Sequence, residues 1–576
     1  MPVINLTEHR QRLLQSDGHL LVLGGPGSGK TTIALIKADQ IFKSGKLIPG
    51  QKLLFLSFAR ATVSRIMEQS RKLSVCVGRG ALEINTYHGF AWNILRSHGY
   101  LLNSQQRIRL FPPPEASARL ADIAPELRDS EKQRLFQAEG LLHFDLFAPL
   151  CAELLSRSRQ LRRIITDTYP LIIVDEFQDT NSAEWALIKA LGDASTIIAL
   201  ADAEQRIYEF RGADPARILE FITAFNPTQF DFGNENHRSN GTDITTFGNE
   251  LLTGANKGKS YKDVQITLYP FLSGYDQCFA LKCGVLSGMK RLKVTNADKW
   301  SIAILVPTKR LMLAVSDYLS STENSLPTLF HEVALDHEGT ALSAAAIAAL
   351  LEGGASKDEI AQRLIANLCT HMRGRRGGNE KTPQLELEMA GALDGYLASG
   401  TVRGSARKEI VAEAARIAGQ RLQAELSGDP GADWLQMRRL LEQSSSDRIQ
   451  HLGYNAKYLR MLNKGTVLRG RLDELWRADG SYRGATDVVK DALVQEHFSS
   501  STRTWNGINV MTIHKAKGKE FDEVFIFEGY KQGKIVRANS TQREIQQARL
   551  ALRVAVTRAM KRATILTPKS ERCQFL

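Results

Sequence analysis

Short apolar runs alternate along the chain with longer stretches whose apolar residues recur at helical spacing. The runs are Leu20–Leu23, Leu53–Ser57, Leu171–Val174, Thr196–Leu200, Ile302–Val306, Val510–Ile513, Val524–Phe527 and Ala563–Leu566. An uninterrupted apolar run of this kind is typical of a strand buried on both faces. Strands that alternate with helices form parallel sheets with helices on both sides, so the pattern predicts an α/β fold.

Two long segments interrupt this alternation. Residues 92–165 show no strong strand pattern and include the three prolines of Pro112–Pro114. Residues 345–500 are rich in Ala, Leu, Arg and Glu at helical spacing, with glycine-rich breaks such as Arg373–Gly378. We predict that both are mainly helical insertions, one in each of two α/β cores. A chain of 576 residues is too long for a single hydrophobic core.

Composition and charge narrow the class of protein. Hydrophobic residues make up 43% and charged residues 24%, the ordinary balance of a globular protein. The 75 Lys and Arg outnumber the 62 Asp and Glu, and the net charge of +13 favours a polyanionic partner such as DNA or RNA. Neither a membrane-spanning run nor the apolar core of a signal peptide is present, and the six cysteines form no CxxC pair. We therefore expect a cytoplasmic protein with reduced thiols and no membrane contact.

A glycine-rich segment follows the first apolar run and precedes a helical stretch. Residues 24–31 are Gly-Gly-Pro-Gly-Ser-Gly-Lys-Thr. Glycines let backbone N–H groups turn toward phosphate oxygens, and the start of the helix adds positive potential. This strand–loop–helix arrangement is typical of a P-loop, in which Lys30 would reach the β- and γ-phosphates of ATP and the Thr31 hydroxyl would hold Mg²⁺. The residues expected to bind ATP here are Gly25, Gly27, Ser28, Gly29, Lys30, Thr31 and Thr32.

Two adjacent acids end another apolar run. Asp175 and Glu176 follow Leu171–Val174 directly. An isolated Asp-Glu pair is usually a solvated turn, but a P-loop upstream and an apolar strand before it favour a catalytic pair. Asp175 is then placed to hold the metal, and Glu176 to orient and deprotonate the attacking water. The sequence thus predicts hydrolysis of a nucleoside triphosphate with Mg²⁺.

Five further motifs follow the P-loop in a characteristic order. They are Asp175–Asn181 (Asp-Glu-Phe-Gln-Asp-Thr-Asn), Gln205–Asp214 (Gln-Arg-Ile-Tyr-Glu-Phe-Arg-Gly-Ala-Asp), Asn236–Ser239 (Asn-His-Arg-Ser), Thr512–Asp522 (Thr-Ile-His-Lys-Ala-Lys-Gly-Lys-Glu-Phe-Asp) and Ala555–Ala559 (Ala-Val-Thr-Arg-Ala). In kind and order they resemble the motifs of UvrD/Rep/PcrA helicases of superfamily 1A. The motifs extend from about residue 20 to residue 562, so the resemblance covers nearly the whole chain.

The resemblance implies an α/β protein with two RecA-like P-loop NTPase cores, each carrying a mainly helical insertion. The first core would comprise residues 1–91 and 166–235, with its insertion at 92–165. The second would comprise residues 236–344 and 501–576, with its insertion at 345–500. ATP would bind between the cores, and single-stranded or partly duplex DNA would be the substrate. The family implies 3′–5′ movement and, by default, a role in DNA repair.

The resemblance also implies roles for single residues in the ATP site. Gln178 and Gln205 would contact the γ-phosphate, and Arg238 and Arg558 would be arginine fingers from the second core. The charge of the terminal phosphate grows in the transition state, where a planar cation stabilises it. The ribose contact, the ring stacked on adenine and the glutamine that reads adenine would be Glu520, His237 and Gln11, although the offset of Gln11 looks shifted. The implied catalytic residues are Glu176, Gln205, Arg238 and Arg558.

A second set of residues would bind DNA. The positions that match the family are Phe58, Thr86, His88, Tyr208, Phe210, Arg211, Thr512 and His514. Bases of a single strand stack on aromatic faces without sequence preference, at roughly 1–3 kcal/mol per base. A lone phenylalanine is more often part of a hydrophobic core, and this alternative stands for Phe58 and Phe210.

Some features depart from the family pattern or favour other functions. Arg553 occupies a position where tyrosine is frequent, and both insertions are compact. The compact form resembles the helicase subunits of Gabija-type antiviral systems, which implies a partner nuclease and a role in defence. Gly470–Asp473 followed by Asp487–Lys490 weakly resembles a nuclease motif, but its second half has one residue too many, and an amphipathic helix over Tyr482–Phe498 is the preferred explanation. An ATP-gated DNA sensor without strand separation is the other alternative.

Overall fold

The computed structural model describes residues 7–57, 60–72, 80–103, 106–202, 216–233, 239, 241–271, 276–295, 299–334, 337–376, 382–456, 467–498, 505–530 and 533–576. The chain divides into two compact units. The first unit combines Met1–Ile94, Ala148–Ala334 and Ser500–Leu576, and the second combines Leu95–Phe147 and Leu335–Ser499. The four domain boundaries implied by the resemblance stay a prediction.

Strands and helices alternate in the first unit, whereas the second is mainly helical. In the described residues the strands are β1 (Leu20–Leu23), β2 (Leu53–Ser57), β3 (Leu82–Thr86), β4 (Arg109–Leu110), β5 (Leu141–Leu142), β6 (Leu171–Val174), β7 (Thr196–Ala201), β8 (Thr228–Asp231), β9 (Val264–Tyr269), β10 (Ser301–Val306), β11 (His331–Val333), β12 (Gly507–Thr512), β13 (Phe521–Phe527) and β14 (Ala559–Pro568). The helices are α1 (Glu8–Gln15), α2 (Lys30–Lys43), α3 (Arg60–Lys72), α4 (Tyr87–His98), α5 (Pro113–Arg119), α6 (Arg128–Glu139), α7 (Phe147–Arg157), α8 (Arg159–Thr168), α9 (Ser182–Gly192), α10 (Arg217–Phe225), α11 (Ile244–Thr253), α12 (Phe279–Thr295), α13 (Lys309–Ser320), α14 (His337–Glu352), α15 (Lys357–Gly374), α16 (Gln384–Ser399), α17 (Ser405–Gln423), α18 (Pro430–Glu442), α19 (Asp447–Ala456), α20 (Val467–Asp479), α21 (Ala485–Phe498) and α22 (Gln542–Val556).

The first sheet belongs to the core that contains the P-loop. Its strand order is β3-β2-β6-β7-β1-β8, and every neighbouring pair is parallel. Parallel strands end at one common edge, where ligands of open α/β sheets bind. The P-loop after β1, Asp175 after β6 and Asp202 after β7 therefore share this edge. The edge is the natural place for a phosphate-binding site.

The second sheet belongs to the other core of the same unit. Its order is β11-β12-β10-β13-β14-β9, again with parallel neighbours. Helices α11 and α22 pack together beside it around buried residues such as Phe247 and Leu552. Glu520 immediately precedes β13, and Arg558 lies between α22 and β14. The predicted fold class, α/β with parallel sheets flanked by helices, is confirmed.

All eight strands predicted from apolar runs are interior strands of the two sheets. The four strands of these sheets that the pattern missed, β3, β8, β9 and β11, are their four edge strands. An edge strand has one neighbour only and keeps exposed positions, as in β8, where three of four residues are exposed. Such a strand needs no continuous apolar run, so periodicity alone does not detect it.

The second unit is built around helix α15. This helix packs against α14, α16 and α17, and also against α5 from the earlier segment of the unit. The two segments are further joined by an ion pair between Arg373 Nε and Asp122 Oδ2 at 2.6 Å. The residues of the predicted insertions therefore share one compact unit, except that residues 92–94, 148–165 and 500 belong to the α/β unit.

The nuclease alternative falls on two helices of the second unit. Asp473 lies on α20, and Asp487 and Lys490 lie on α21. Throughout the described part of the chain, no group of three or more His, Cys, Asp or Glu side chains could hold a metal ion. The nuclease alternative stays a prediction. None of the helices that the structure describes is long and apolar enough to cross a membrane.

Candidate nucleotide and DNA sites

The P-loop turns between the end of β1 and the start of α2. Gly27 and Gly29 have φ angles of +80° and +87°, in the left-handed region that glycine adopts without strain. The Lys30 ammonium folds back over the loop and donates to the carbonyl oxygens of Gly24 and Gly25 at 2.7 and 3.1 Å. A phosphate oxygen could replace these carbonyls as acceptor. Thr31 and Thr32 occupy the first turn of α2 and are half-buried.

Helix α1 contacts the P-loop through Arg10. Arg10 Nη2 donates to the carbonyl oxygen of Ser28 at 2.8 Å, and its guanidinium lies 5.1 Å from the centre of the Phe232 ring. Arg10 is buried, whereas Gln11, the expected adenine reader, is exposed. The Ser28 hydroxyl is buried without a hydrogen-bond partner in the described part of the chain. Sequence reasoning missed Arg10, which carries no motif.

Asp175 has the properties of a metal ligand. Its backbone N–H continues the sheet by donating to Leu56 O at 2.9 Å, while its buried Oδ2 meets no hydrogen-bond donor among the described residues. Burial and the adjacent Glu176 carboxylate raise the pKa of Asp175 to about 6, against the lowering effect of Arg65 and Lys30. Mg²⁺ is usually held by one or two carboxylates together with phosphate oxygens and water. Asp175 and the Thr31 hydroxyl therefore fit a Mg²⁺ ion bound with the nucleotide.

Glu176 is held in an unusual conformation and a positive field. Its φ angle of +53° is left-handed, which is rare outside glycine and is found mostly where function requires it. Burial by itself would raise the pKa of Glu176, but the cations of Lys517, Lys30 and Arg558 and a hydrogen bond from Gln178 lower it to about 2. Glu176 is therefore a carboxylate at neutral pH, the form that accepts a hydrogen bond from water.

Gln178 connects Glu176 to the end of the neighbouring strand β7. Its Nε2 donates to Glu176 Oε2 at 2.6 Å, and its Oε1 accepts from the backbone N–H of Asp202 at 3.0 Å. The side chain is buried, so both bonds are shielded from water. These two bonds fix the orientation of the amide and, through it, of the Glu176 carboxylate.

Lys517 brings the second core to the acids of the first. Its ammonium contacts Asp179 Oδ2 and lies 3.5 Å from Glu176 Oε2. Lys517 and Asp179 are both buried. Burial raises the pKa of Asp179 to about 7 even though the Lys517 charge lowers it. Asp179 belongs to the motif Asp175–Asn181 and Lys517 to the motif Thr512–Asp522, but the sequence alone did not predict that the two residues are in contact.

Arg558 also reaches the site from the second core. The residue is buried, its Nε donates to Val554 O at 3.0 Å, and its charge contributes to the lowered pKa of Glu176. Glu520, the expected ribose contact, instead accepts from Arg65 Nη1 of helix α3 at 2.8 Å. Arg65 was not predicted, because it belongs to none of the motifs. Acids and cations of both cores thus meet around the P-loop.

Four of the expected DNA contacts lie at the carboxyl ends of strands or within two residues of them. Thr86 ends β3, and its hydroxyl accepts from the backbone N–H of Gly89 at 3.0 Å, which shapes the start of α4. His88 is half-buried on the first turn of this helix. In the second core, half-buried Thr512 ends β12, and His514 two positions later is exposed. Each pair thus lies at the carboxyl edge of its own sheet.

Comparison with known proteins assigns the chain to a family. The model of the UvrD/REP helicase N-terminal domain matches residues 6–139 and 129–226, and that of the UvrD-like helicase C-terminal domain matches residues 436–570. Together they cover well over half of the chain. The chain belongs to the UvrD/Rep/PcrA-like helicases.

Individual UvrD-like helicases match almost the full length. DNA helicase II of Salmonella typhimurium is 23% identical over 98% of this chain and 84% of its own. The ATP-dependent DNA helicase PcrA of Staphylococcus aureus is 22% identical over 96% of this chain and 82% of its own. DNA helicase II of Escherichia coli is 23% identical over 98% of this chain and 84% of its own.

Several positions expected to function in this UvrD-like helicase lie outside the described residues. They are Phe58, Gln205, Tyr208, Phe210, Arg211, His237 and Arg238. Their roles stay predictions from the family resemblance. The structure brings together Lys30, Asp175, Glu176, Gln178 and Arg558.

Proposed function

We propose that this UvrD-like helicase hydrolyses ATP to move along single-stranded DNA and to separate partly duplex DNA. The observation that carries the proposal is the environment of Glu176. This carboxylate lies on the first core, 3.5 Å from the Lys517 ammonium of the second core, and the charges of Lys517, Lys30 and Arg558 lower its pKa. A water-orienting acid at the boundary of two cores supports an ATPase whose chemistry depends on how the cores meet.

The residues support a division of labour in hydrolysis. The P-loop N–H groups and Lys30 would bind the phosphates, and Mg²⁺ held by Asp175 and Thr31 would neutralise charge on the β- and γ-phosphates. Glu176, kept ionised and oriented by Gln178, would accept a hydrogen bond from the attacking water. Arg558 would stabilise the negative charge that develops on the terminal phosphate.

Movement would follow from the position of these groups on two cores. A γ-phosphate that contacts cations of both cores favours their closure, and its loss on hydrolysis removes that attraction. The proposed DNA contacts at Thr86 and His88 would belong to one core, and those at Thr512 and His514 to the other. Opening and closing of the cores would therefore change the distance between the two sets of contacts that hold one DNA strand.

The first test is DNA-stimulated ATP hydrolysis by purified protein. Lys30→Ala should eliminate turnover because it removes the phosphate-binding cation, and Glu176→Gln should eliminate it because an amide is a poor acceptor for the water proton. The matched control is Lys43→Ala at the other end of α2, where an exposed lysine pairs with Asp39. Unchanged turnover in Glu176→Gln would reject its assigned role.

The second test is displacement of a labelled strand from substrates with a 3′ or a 5′ single-stranded tail. We expect displacement from the 3′-tailed substrate, in keeping with the 3′–5′ movement of the family. ATP hydrolysis stimulated by DNA without displacement of either strand would support an ATP-gated DNA sensor instead. Displacement only from the 5′ tail would overturn the proposed polarity.

The pathway and a protein partner are a separate part of the proposal. Repair is the default role of the family, and the compact form also resembles the helicase subunits of Gabija-type antiviral systems, for which a partner nuclease is expected. Affinity purification of Glu176→Gln, which should retain ATP, would capture such a partner in its nucleotide-bound complex. Cleavage of DNA by the captured material but not by the purified chain would support the defence assembly.

A further inference from the structure

A buried arginine of the second core faces an aspartate of the first. Arg553 lies on the last turns of α22 and is 0% exposed. Its Nε and Nη2 donate to Asn249 Oδ1 of α11 at 3.3 and 2.9 Å. Its Nη1 lies 3.9 Å from Asp202 Oδ1, a carboxylate that is 5% exposed. Two buried opposite charges at this distance attract each other strongly, since little water screens them.

Asp202 stands at one end of a short chain of hydrogen bonds. Its backbone N–H donates to Gln178 Oε1 at 3.0 Å, and Gln178 Nε2 donates to Glu176 Oε2 at 2.6 Å. A shift of Asp202 would therefore move the amide that orients the Glu176 carboxylate. Two residues, Asp202 and Gln178, therefore connect Arg553 to Glu176.

We propose that Arg553 is a positioning residue for ATP hydrolysis, acting from the second core on Asp202 of the first. Asp202 and Gln178 carry its effect to the Glu176 carboxylate. The arrangement ties the water-orienting acid to the closed arrangement of the cores, because α22 also leads directly to Arg558. This inference rests on the ATPase activity proposed above.

A neighbouring arginine, Arg549, provides a control that distinguishes a positioning role of Arg553 from a purely structural role in packing α22 against α11. Arg549, one turn earlier on α22, donates to the carbonyl oxygens of Leu251 and Leu252 of α11 at 3.0 and 3.3 Å. Its guanidinium also lies 5.0 Å from the centre of the Phe575 ring. These contacts all belong to the second core. Arg549 therefore joins the same two helices as Arg553 and is the matched control.

The experiment is a double-mutant cycle with Arg553→Met, Asp202→Asn and the combined variant, measured as ATPase with saturating single-stranded DNA. We expect Arg553→Met to lower kcat by roughly 10-fold, with KM for ATP within about 2-fold, as for residues that orient a ligating group. The combined variant should be no slower than the slower single variant, because both changes break one connection. Arg549→Met should lower the thermal midpoint and leave kcat close to wild type.

Thermal midpoints of the same proteins keep the test independent of turnover. We expect the combined variant to lose less thermal stability than the sum of the losses in Arg553→Met and Asp202→Asn, because removing one charge leaves the other buried without compensation. Provided that the wild type is active, either of two results would overturn the positioning role of Arg553. One is that the effects of the two single variants on kcat are additive, and the other is that Arg549→Met loses as much kcat as Arg553→Met. If the changes in thermal midpoint of the two single variants simply add in the combined variant, the ion pair is overturned, even if the wild type is inactive. If the wild type shows no turnover but the changes in midpoint are not additive, only the proposed ATPase is rejected.

Discussion

At the residue scale, the candidate site is a balance of buried charges. Asp175, Glu176 and Asp179 lie within five positions of one another, and burial alone would disfavour ionisation of all three. Lys517, Lys30 and Arg558 together offset this penalty at Glu176, whose pKa is lowered to about 2. The carboxylate proposed to orient the water is thus the one of the three whose pKa the surrounding charges lower below its ordinary value.

The role of Arg558 makes a prediction at this scale. Arg558→Ala should reduce kcat for ATP by roughly 10³-fold, because a positioned arginine stabilises charge that develops mainly in the transition state. KM for ATP should change far less. Steady-state kinetics with saturating DNA measures both. Arg562→Ala serves as control, since this half-exposed arginine of β14 pairs with Asp263 at 3.3 Å; an equal loss in the control would deny Arg558 a specific role.

At the element scale, interior strands position the site and helices supply its cations. Strands β1, β6 and β7 deliver the P-loop, Asp175 and Asp202 to a single edge. Helices α1, α3 and α22 bring Arg10, Arg65 and Arg553. In the mainly helical unit the central element is α15, whose last turn carries the buried His371.

His371 predicts that acid destabilises the helical unit. Burial first, and then the charges of Arg375 and His451, lower the pKa of His371 to about 3. The unfolded chain binds a proton near its ordinary pKa of about 6.5 and the folded chain does not, so stability is complete above that pH and falls below it. At pH 5 the loss should reach about 2 kcal/mol.

The measurement is the unfolding midpoint of the whole chain between pH 7.5 and pH 5. His371→Gln can still accept the hydrogen bond that Asn455 makes with His371 Nε2 at 2.9 Å, but it does not titrate. We expect a smaller fall of the midpoint in this variant than in the wild type. Equal pH dependence in both proteins would show that other groups cause the effect.

At the scale of the whole molecule, both RecA-like cores belong to one compact unit and are joined by charged pairs. Arg65 with Glu520, and Lys517 with Asp179, each connect a residue of one core to a residue of the other. The net charge of +13 adds a long-range attraction for the phosphates of DNA. Short-range pairs therefore act between the cores, whereas the overall charge acts on the substrate.

This overall charge predicts salt-sensitive DNA binding. Each neutralised phosphate releases counterions, so the affinity for single-stranded DNA should fall by roughly 50-fold between 50 and 200 mM salt if about four phosphates are contacted. The measurement is the DNA concentration that gives half-maximal ATPase stimulation. Turnover at saturating DNA should change much less, because Asp175, Glu176 and Arg558, the charged residues proposed to act in hydrolysis, are buried or half-buried. If the DNA concentration for half-maximal stimulation does not change with salt, the result would argue against phosphate contacts.

Local patterns in the sequence were sufficient for much of the fold and part of the site. The interior strands were predictable because burial on both faces demands continuous apolar residues, while the edge strands have no such requirement. Gly27, Gly29 and Lys30 were predictable because the P-loop is a local turn whose glycines take left-handed angles. Asp175 and Glu176 were predictable because they directly follow a buried strand.

The sequence by itself thus determined the α/β class, the interior strands, the P-loop and the acids beside it. Only the tertiary structure decided which cations meet those acids. Arg65 and Glu520 are 455 positions apart, and Arg10 and Arg553 belong to helices without a nucleotide motif. A buried charge is stabilised by whichever partner is nearest in space, and proximity across two cores depends on packing rather than on spacing along the chain.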